Sequence, residues 1–332
     1  MKRVVGFVGR MSRAREAGIA TVLILFSLVV GLMEPRFWTG ETVGIVLLAV
    51  PLILVAAMGQ MMVIVARHVD LSIGSMLGFA ALVAGMIFRD HPQWPLFIGF
   101  VAAILTGAGL GLVNGLLVTC FKLPSIIVTL GTLSLYRGVL FTLSGSRQID
   151  PNDIPESLIR MAQTSPIGIP WIVIISAMIA LATHFFLMHT QAGRKIYAIG
   201  SNPTAAPLRG IRIVPITVFV FTISGALAGL AGILYAARFG YVNPGITGVG
   251  FEFTVIAAVV VGGISINGGV GSVLGAVLGV LLLGTVTVAL PILGISGLWQ
   301  NAIYGAIIVI ALVIDRAVRQ DGVRRLARSA AP

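Results

Sequence analysis

Few side chains in this sequence are of a type and spacing that could support catalysis. The chain has one cysteine, Cys120, and four scattered histidines, so it offers neither a disulfide nor a cluster with metal-ligand spacing. Its only lysines are Lys2, Lys122 and Lys195, and none lies in the glycine-rich pattern that cradles the phosphates of ATP. The sequence therefore predicts that the chain is not an enzyme, holds no cofactor and does not itself hydrolyse ATP.

Polar side chains within long apolar stretches are the remaining candidates for chemistry. An ionisable or amide group at membrane depth is costly, and it either serves a function or pairs with another helix. Asp70 and Glu252 have a further interpretation as helix caps, with Asp70 as the N-cap of a helix that begins near Leu71. The full set of candidates is Gln60, Asp70, Ser72, Asn114, Thr129, Arg137, Glu252 and Asn267.

A basic loop, residues 189–213, separates two apolar blocks and contains no acid. Asn202 can act as an N-cap, Pro203 fits a first helical position and Gly210 can end a helix, so a short helix is predicted between Asn202 and Gly210. Two interpretations stay open, a helix that docks onto a partner and a plain basic loop on the cytoplasmic side. The cations of the loop are Arg194, Lys195, Arg209 and Arg212.

The composition defines the solvent in which these residues must be positioned. Hydrophobic residues make up 58% of the 332 residues and charged residues only 10%, with a mean hydropathy of +1.06. Soluble domains carry about 25% charged residues, so the sequence predicts a protein embedded in lipid. The net charge of +11 does not indicate nucleic-acid binding, because the cations lie at the edges of apolar blocks and not on one compact domain.

The apolar blocks predict an all-α integral membrane protein with about ten transmembrane helices. Most cations fall on one side if the count is even and both termini are cytoplasmic, as expected when positive charge stays inside. We expect a basic N-terminus (1–17), a membrane domain (18–315) that includes the loop 189–213, and a basic tail (316–332). The predicted helices run over about 18–33, 42–66, 71–88, 96–121, 125–143, 170–188, 214–237, 251–261, 273–293 and 298–314.

A glycine-rich stretch, residues 262–272 (GGISINGGVGS), interrupts the apolar pattern. Five glycines in eleven residues are incompatible with a stable continuous helix, so a hinge, a cavity-lining turn or a close-packed seam is predicted there. Residues 74–78 and 271–275 share a Gly-Ser start and a glycine four positions after the first. This similarity raises the question of an internal repeat, which is common in transporters.

Three motifs show that the chain resembles permease subunits of bacterial ABC sugar importers, in the branch that carries ribose, xylose, rhamnose and autoinducer 2. They are residues 69–75 (VDLSIGS), residues 198–211 (AIGSNPTAAPLRGI), and residues 250–253 (GFEF) followed by 257–263 and 268–272. Residues 129–132 and 136–138 also fit, and the resemblance covers about 47–315. The sequence departs from the family pattern at Pro207, at Thr254 and at Arg67-His68.

The resemblance implies a permease in the bacterial inner membrane that imports a monosaccharide or similar small polyol by alternating access. Its implied partners are a P-loop ATPase on the cytoplasmic side, a second permease subunit, and a periplasmic sugar-binding protein. The polar candidates named above are expected to line the translocation path. The residues expected to couple to the ATPase are Gly200, Asn202, Ala205, Ala206, Arg209, Gly210 and Ile211.

An ion-coupled secondary sugar carrier is the main alternative. Such a carrier would need a coupling-ion site, for example paired carboxylates at helix depth, which the sequence does not show. A passive channel or membrane scaffold is a third possibility.

A proline at position 207 would shorten or kink the predicted coupling helix, because proline beyond the first turn removes a backbone donor.

Overall fold

The computed structural model describes residues 2–163, 168–310 and 313, and this part of the chain is almost entirely helical. Its β-structure is a single bridge between Ile149 and Val242. The twelve α-helices are α1 (Lys2–Met33), α2 (Gly40–Val65), α3 (Ile73–Asp90), α4 (Leu96–Cys120), α5 (Ser125–Ser144), α6 (Glu156–Gln163), α7 (Trp171–His189), α8 (Gln191–Ser201), α9 (Ile213–Phe239), α10 (Phe251–Val261), α11 (Val273–Ile292) and α12 (Trp299–Ile310).

Eight of these helices are long and apolar enough to cross a membrane, and α10 and α12 are shorter apolar helices. The prediction of an all-α integral membrane protein is confirmed, and the predicted helices correspond to these ten elements with ends displaced by a few residues, except that α1 begins far earlier. The two remaining helices, α6 and α8, are too polar to be detected as membrane helices and were not predicted.

Side-chain caps and prolines fix where several helices begin. The Thr39 hydroxyl accepts a hydrogen bond from Thr42 N at the start of α2, and the Ser272 hydroxyl accepts one from Gly275 N at the start of α11. Pro124 precedes α5, where its missing N–H costs nothing. These signals agree with the sequence-based boundaries because lipid leaves no other partner for the first backbone groups of a helix.

Helix α9 lies at the centre of the bundle and packs against α2, α3 and α4. Its contact with α4 is formed by backbone against backbone, because Gly107 and Gly111 face Phe221, Gly225 and Gly229. A Cβ on Gly107 would overlap the carbonyl oxygen of Gly225. Small residues of this kind let membrane helices approach closely, and dispersion contacts then stabilise the pair.

Two irregular segments interrupt the bundle at the same end. The first break, residues 66–72, separates α2 from α3, and the second break, residues 262–272, separates α10 from α11. Gly269 N donates a hydrogen bond to Val65 O at 2.9 Å, which joins the two breaks. Residues 74–78 and 271–275 lie where α3 and α11 begin, so both similar sequences follow a break. We call this end of the molecule, which also carries α8, the basic end.

Candidate functional site

The segment between α9 and α10, residues 240–250, enters the interior of the bundle. It starts beside Ile149, which pairs with Val242 and packs on Gly85 of α3. It then follows α3, so that the carbonyl oxygens of Thr247 and Gly248 reach Gly78 and Gly74 respectively. Eleven helical positions separate residues 85 and 74, which corresponds to a descent of about 16 Å. We call residues 240–250 the re-entrant segment.

Helix α10 starts where the re-entrant segment ends and is therefore a half-helix. Its 11 residues extend about 16 Å, too short to cross a bilayer. Gly250 is its N-cap with φ +74°, and Gly262 after its C-terminus packs on Gly275 of α11 at the basic end. The sequence-based interpretation of α10 as an ordinary membrane helix missed this arrangement, although its length and the glycines and proline of residues 240–250 were signals for it.

Arg137 and Glu252 both lie beside the N-terminal end of α10. Arg137 Nη1 donates to Thr247 O at 2.7 Å and to Pro244 O at 3.4 Å, so a cation from α5 holds the re-entrant segment. Glu252 lies in the first turn of α10, is 6% exposed and points its carboxylate at Gly74. The two charges are close enough to interact, and the carboxylate also suits the positive end of the α10 dipole.

A second polar cluster connects the first break to α4 and α5. Asp70 Oδ1 accepts from Ser72 N at 2.8 Å and from the Ser72 hydroxyl at 2.6 Å. Asn114 Nδ2 donates to Ser72 Oγ at 2.7 Å, and the Tyr136 hydroxyl donates to Asn114 Oδ1 at 3.1 Å. The structure thus brings three sequence-predicted residues together and adds Tyr136, which the sequence analysis did not select.

The prediction that Asp70 is the N-cap of α3 is wrong. Ser72 occupies the N-cap position, and Asp70 lies two residues earlier, where its carboxylate orders the break by binding Ser72. Thr129 Oγ1 donates to Val69 O at 3.3 Å, and Val69 N donates to Ser125 Oγ at 3.1 Å. The first break is consequently held by side chains from two neighbouring helices, α4 and α5.

The last two predicted residues lie on other segments, α2 and the second break. Gln60 is fully buried in α2, and neither atom of its amide has a hydrogen-bond partner in the structure. Asn267 lies exposed in the second break at the basic end. The eight candidates therefore separate into the Asp70 cluster with Thr129, the pair at α10, and these two positions.

The basic loop has a different structure from the one predicted. Its helix is α8, which Thr190 caps by accepting from Gly193 N, and Asn202 follows the C-terminus of α8. Asn202 Oδ1 then accepts from Ala205 N at 3.0 Å, so it does cap, but it starts only one turn. The predicted continuous helix from Asn202 to Gly210 is wrong because Pro207 has no N–H to continue the turn, and a 3-10 turn, Pro207–Arg209, replaces it.

Helix α8 is tied to the end of α2 and to the second break. Gly200 packs so closely that a Cβ there would overlap Val65 O and lie 2.5 Å from Gly269 N. The Tyr197 hydroxyl donates to Gly271 O at 2.8 Å. Burial raises the pKa of Tyr197 to about 12, so the phenol stays protonated and keeps donating at physiological pH.

The turn that follows α8, residues 202–211, forms a knob on the basic end. Ala206 is 4% exposed and anchors the knob, whereas the Leu208 side chain is 88% exposed. Asn202, Arg209 and Gly210 are exposed, and Ala205 and Ile211 are half-buried. The sequence analysis did not select Leu208, because exposure of an apolar side chain is visible only in the structure. A neighbouring cavity of about 290 Å³ is lined by Lys195, Gly210, Arg212, Pro215 and Ile216.

The opposite end has a larger polar cavity of about 780 Å³. Its lining includes Arg89, Gln148, Asp150 and Asp153 from α3 and the α5–α6 connection. Gln148 Oε1 accepts from Asn243 Nδ2 at 3.2 Å, which fixes the start of the re-entrant segment. Among the residues that the structure describes, no three histidine, cysteine or carboxylate side chains group as a metal site.

Comparison with known proteins identifies the family. Residues 42–312 match the family described as branched-chain amino acid transport system / permease component. The autoinducer 2 import system permease protein LsrC of Yersinia enterocolitica is 35% identical over 304 residues, 91% of this chain and 82% of that protein. LsrC of Photorhabdus laumondii is 34% identical (91% and 89% covered), and LsrC of Escherichia coli is 33% identical (95% and 90% covered). No solved structure matches.

These matches cover nearly all of the bundle, including both breaks, the re-entrant segment and the knob. They agree with the resemblance to ABC sugar-importer permeases that the motifs indicated, and with eight helices of membrane-spanning length. The chain therefore belongs to this permease family and is a multi-pass inner-membrane permease of the ABC-importer type.

Proposed function

We propose that this permease imports a small hydroxyl-rich molecule, of the monosaccharide or autoinducer 2 kind, and that a separate P-loop ATPase drives the import. The LsrC proteins are named as permeases of autoinducer 2 import systems, which supports this substrate class. A second permease subunit would complete the pathway, and a periplasmic binding protein would deliver the solute to the opposite end. The basic end would then face the cytoplasm, as positive charge does in membrane proteins.

The observation that carries this proposal is the link from the knob through α8 to the end of α2 and to the second break. The knob continues directly from α8, and α8 contacts Val65, Gly269 and Gly271 through backbone groups and one phenol. A partner that pushes or pulls the knob would move the end of α2 and the second break with it, since the backbone contacts have no flexible side chain to absorb the displacement. An ATPase can shift the outward-open and inward-open populations only through such differential contacts.

The knob also has the chemistry of a docking surface. Leu208 projects an apolar side chain beyond a base that contains Arg209 and Gly210, and an apolar tip with a polar rim is typical of residues that anchor protein interfaces. We propose that Leu208 inserts into a groove of the ATPase and that Asn202, Ala205 and Ala206 keep the knob in shape. We assign Gly200 to the link between the knob and α2 and not to the docking surface, because it is buried against Val65.

The proposed path for the solute passes the N-terminus of α10. Transporters commonly bind substrates where a discontinuous helix starts inside the membrane. Arg137, Glu252 and the exposed backbone of the re-entrant segment supply hydrogen-bonding groups at that point. The cluster of Asp70, Ser72, Asn114 and Thr129 instead holds the first break, so we assign it a positioning role beside the path.

The ion-coupled carrier is less well supported. Asp70 and Glu252 belong to separate clusters, and the described residues show no group of carboxylates suited to a coupling ion. The matched family is described as the permease component of a transport system, and the relatives are named as permease proteins of import systems. A permease that is one component of a larger system also favours the ATPase-driven mechanism.

The test of the proposed function replaces Leu208 by aspartate and uses Leu298 as its matched control. Both leucines are 88% exposed, but Leu298 follows α11 at the end opposite to the knob. L208D should reduce co-purification of the co-expressed ATPase and uncouple ATP hydrolysis from uptake, by about tenfold or more for a buried interface anchor. L298D should leave both unchanged.

Equal co-purification of the two variants with the ATPase would contradict the role of the knob. Uptake by the purified permease alone, driven by an ion gradient without ATP, would instead establish the carrier mechanism. Membrane content of each variant, measured by immunoblot, shows whether a loss reflects coupling or folding.

A further inference from the structure

Three buried polar side chains of the neighbouring helices α2 and α9 have no hydrogen-bond partner. Gln60 of α2 and Ser224 of α9 are fully buried, and Thr217 of α9 is 1% exposed. Neither atom of the Gln60 amide nor either hydroxyl forms a hydrogen bond in the structure. Because burying such a group unpaired costs about 1–3 kcal/mol, three of them on two helices that pack together call for an explanation.

The two hydroxyls of α9 differ from their neighbours. A serine or threonine in a membrane helix ordinarily donates to the carbonyl one turn back. Thr222 of the same helix does so to Val218 O at 2.8 Å, and Thr287 of α11 does so to Leu283 O at 2.9 Å. Ser224 and Thr217 do not make this bond, so their hydroxyls are available to other groups.

These side chains form a row that leads from the interior to the basic end. Thr217, Phe221 and Ser224 are spaced four and three residues apart and share one face of α9. Gly59 lies level with Ser224, since a Cβ on Gly59 would be 2.8 Å from Ser224 Cα. Further toward the basic end, the His68 ring lies 5.7 Å from the Phe221 ring. The first break therefore covers the part of the row that is nearest to the basic end.

We propose that the contact between α2 and α9 opens at the basic end during the transport cycle, and that Gln60, Ser224 and Thr217 then hydrogen-bond to a hydroxyl-rich, uncharged solute. This inference rests on the import function proposed above. Amide and hydroxyl groups both donate and accept, as sugar hydroxyls do, and the three side chains carry no charge. The described structure is then the state in which the contact is closed.

Opening is compatible with how this contact is built. Helix α8 contacts Val65 at the end of α2, so displacement of the knob acts on α2 directly. The adjacent face of α9 is locked to α4 by backbone contacts between glycines, which keep α9 in place. Movement of α2 away from a fixed α9 would expose the row starting from Thr217.

Thiol accessibility tests the proposal on the assembled importer in inside-out vesicles. The chain's one cysteine, Cys120, is exposed and is first replaced by serine. S224C keeps the shape of the side chain, and A231C is the control, since Ala231 is fully buried in α9 two turns further from the basic end. S224C should react at least about tenfold faster than A231C with 2-hydroxyethyl methanethiosulfonate in one nucleotide state.

The same variants test the class of solute. The rate of each reagent with S224C is divided by its rate with a free thiol in solution. This ratio should be higher for the hydroxyethyl reagent than for the anionic sulfonatoethyl reagent. Equal relative rates would overturn the uncharged-solute assignment. A rate for S224C as slow as that for A231C in every nucleotide state would show that the contact is static and would overturn the opening itself.

A cysteine on the knob separates failure of this inference from failure of the proposed function. Thr204 is exposed, so T204C should be modified in the free permease and shielded when the ATPase binds. If the ATPase does not shield T204C, the proposed coupling is wrong. If it does and S224C stays unreactive, only the opening of the α2–α9 contact is wrong.

Gln60→Met provides an independent readout that needs no solute. Methionine has a similar volume and carries no group to be satisfied, so Q60M should raise the Tm of the detergent-purified permease. A lowered Tm would mean that the amide is permanently satisfied in the closed state, as by a fixed water, and would contradict the proposal.

Discussion

On the side of α9 that faces α4, glycines bring two backbones together, whereas on the side that faces α2 the contact contains buried polar groups. Gly107 and Gly225 meet without an intervening side chain, and this contact leaves no polar side chain to satisfy. At the α2 contact, Gly59 meets Ser224, and the Ser224 hydroxyl has no partner. The difference supports the proposal that the α4 contact holds the bundle together while the α2 contact opens during transport.

The largest effect is expected from a methyl group in the α4 contact. G107A places its Cβ on the carbonyl oxygen of Gly225, and neither can turn away, because the oxygen is a backbone atom and the backbone fixes the position of the Cβ. We expect a loss of at least about 3 kcal/mol in stability, with little folded protein in the membrane. Thermal unfolding in detergent, together with membrane yield, measures it.

Gly109 is the matched control for that substitution. It lies in the same helix two residues later, with open space where its Cβ would be. G109A should therefore be neutral or stabilising by up to about 1 kcal/mol, the intrinsic helix preference of alanine over glycine. Similar melting temperatures for G107A and G109A would contradict the claim that close backbone contact with α4 holds α9 in place.

An intermediate effect is expected at the α2 contact. G59A brings a Cβ to 2.8 Å from Ser224 Cα and 3.0 Å from its hydroxyl oxygen, a milder overlap than the one at Gly107. We expect a cost of about 1–3 kcal/mol for the closed state. Because the open state would relieve the overlap, G59A should also speed the modification of S224C. A slower modification would show that G59A does not favour opening.

The smallest effect is expected from removing one hydroxyl. S224A deletes an unpaired buried group, so we expect stability to stay unchanged or to rise by up to about 1 kcal/mol. The control is T222A. The Thr222 hydroxyl donates to Val218 O, so its removal should not stabilise the protein. Thermal unfolding of the pair in detergent distinguishes them, and a clear destabilisation by S224A would mean that its hydroxyl is satisfied in the closed state.

The membrane helices could be predicted from the sequence because lipid imposes one rule on every crossing. A spanning segment must be apolar and must satisfy its own backbone, so long apolar blocks give the helices directly. The ends of α2, α4 and α9 fall within about two residues of the predicted ones. The motif at residues 69–75 likewise marked a real break, since α3 begins only at Ile73.

The interior of the site could not be predicted, because it depends on where non-helical segments pass. Nothing in the hydropathy of residues 240–250 shows that they descend along α3, where Gly74 and Gly78 leave room for them. Arg137 could be recognised as unusual, but its partners are carbonyl groups more than 100 residues away. Such long-range pairing has no local signature.

The structure of the knob was predicted wrongly for a different reason. Asn202 and Gly210 are good helix signals, and both do take part in turns, but they bound too short a segment with Pro207 inside it. The actual helix, α8, contains Gly193 and Gly200, which argue against a helix on propensity alone. Both glycines are required by contacts, Gly193 with Leu187 and Gly200 with Val65. Tertiary packing therefore outweighed local preference.

The buried start of α10 has a consequence for electrical leakage. Any route that carries a polar molecule through a bilayer must avoid discharging the ion gradients across it. The amino end of α10 contributes roughly half a positive charge and Arg137 a full one, against the single negative charge of Glu252. The surplus is positive, so on the proposed path protons and sodium ions would meet an electrostatic barrier there while a neutral molecule would not. A permease with such a path would insulate the membrane while its cargo passes.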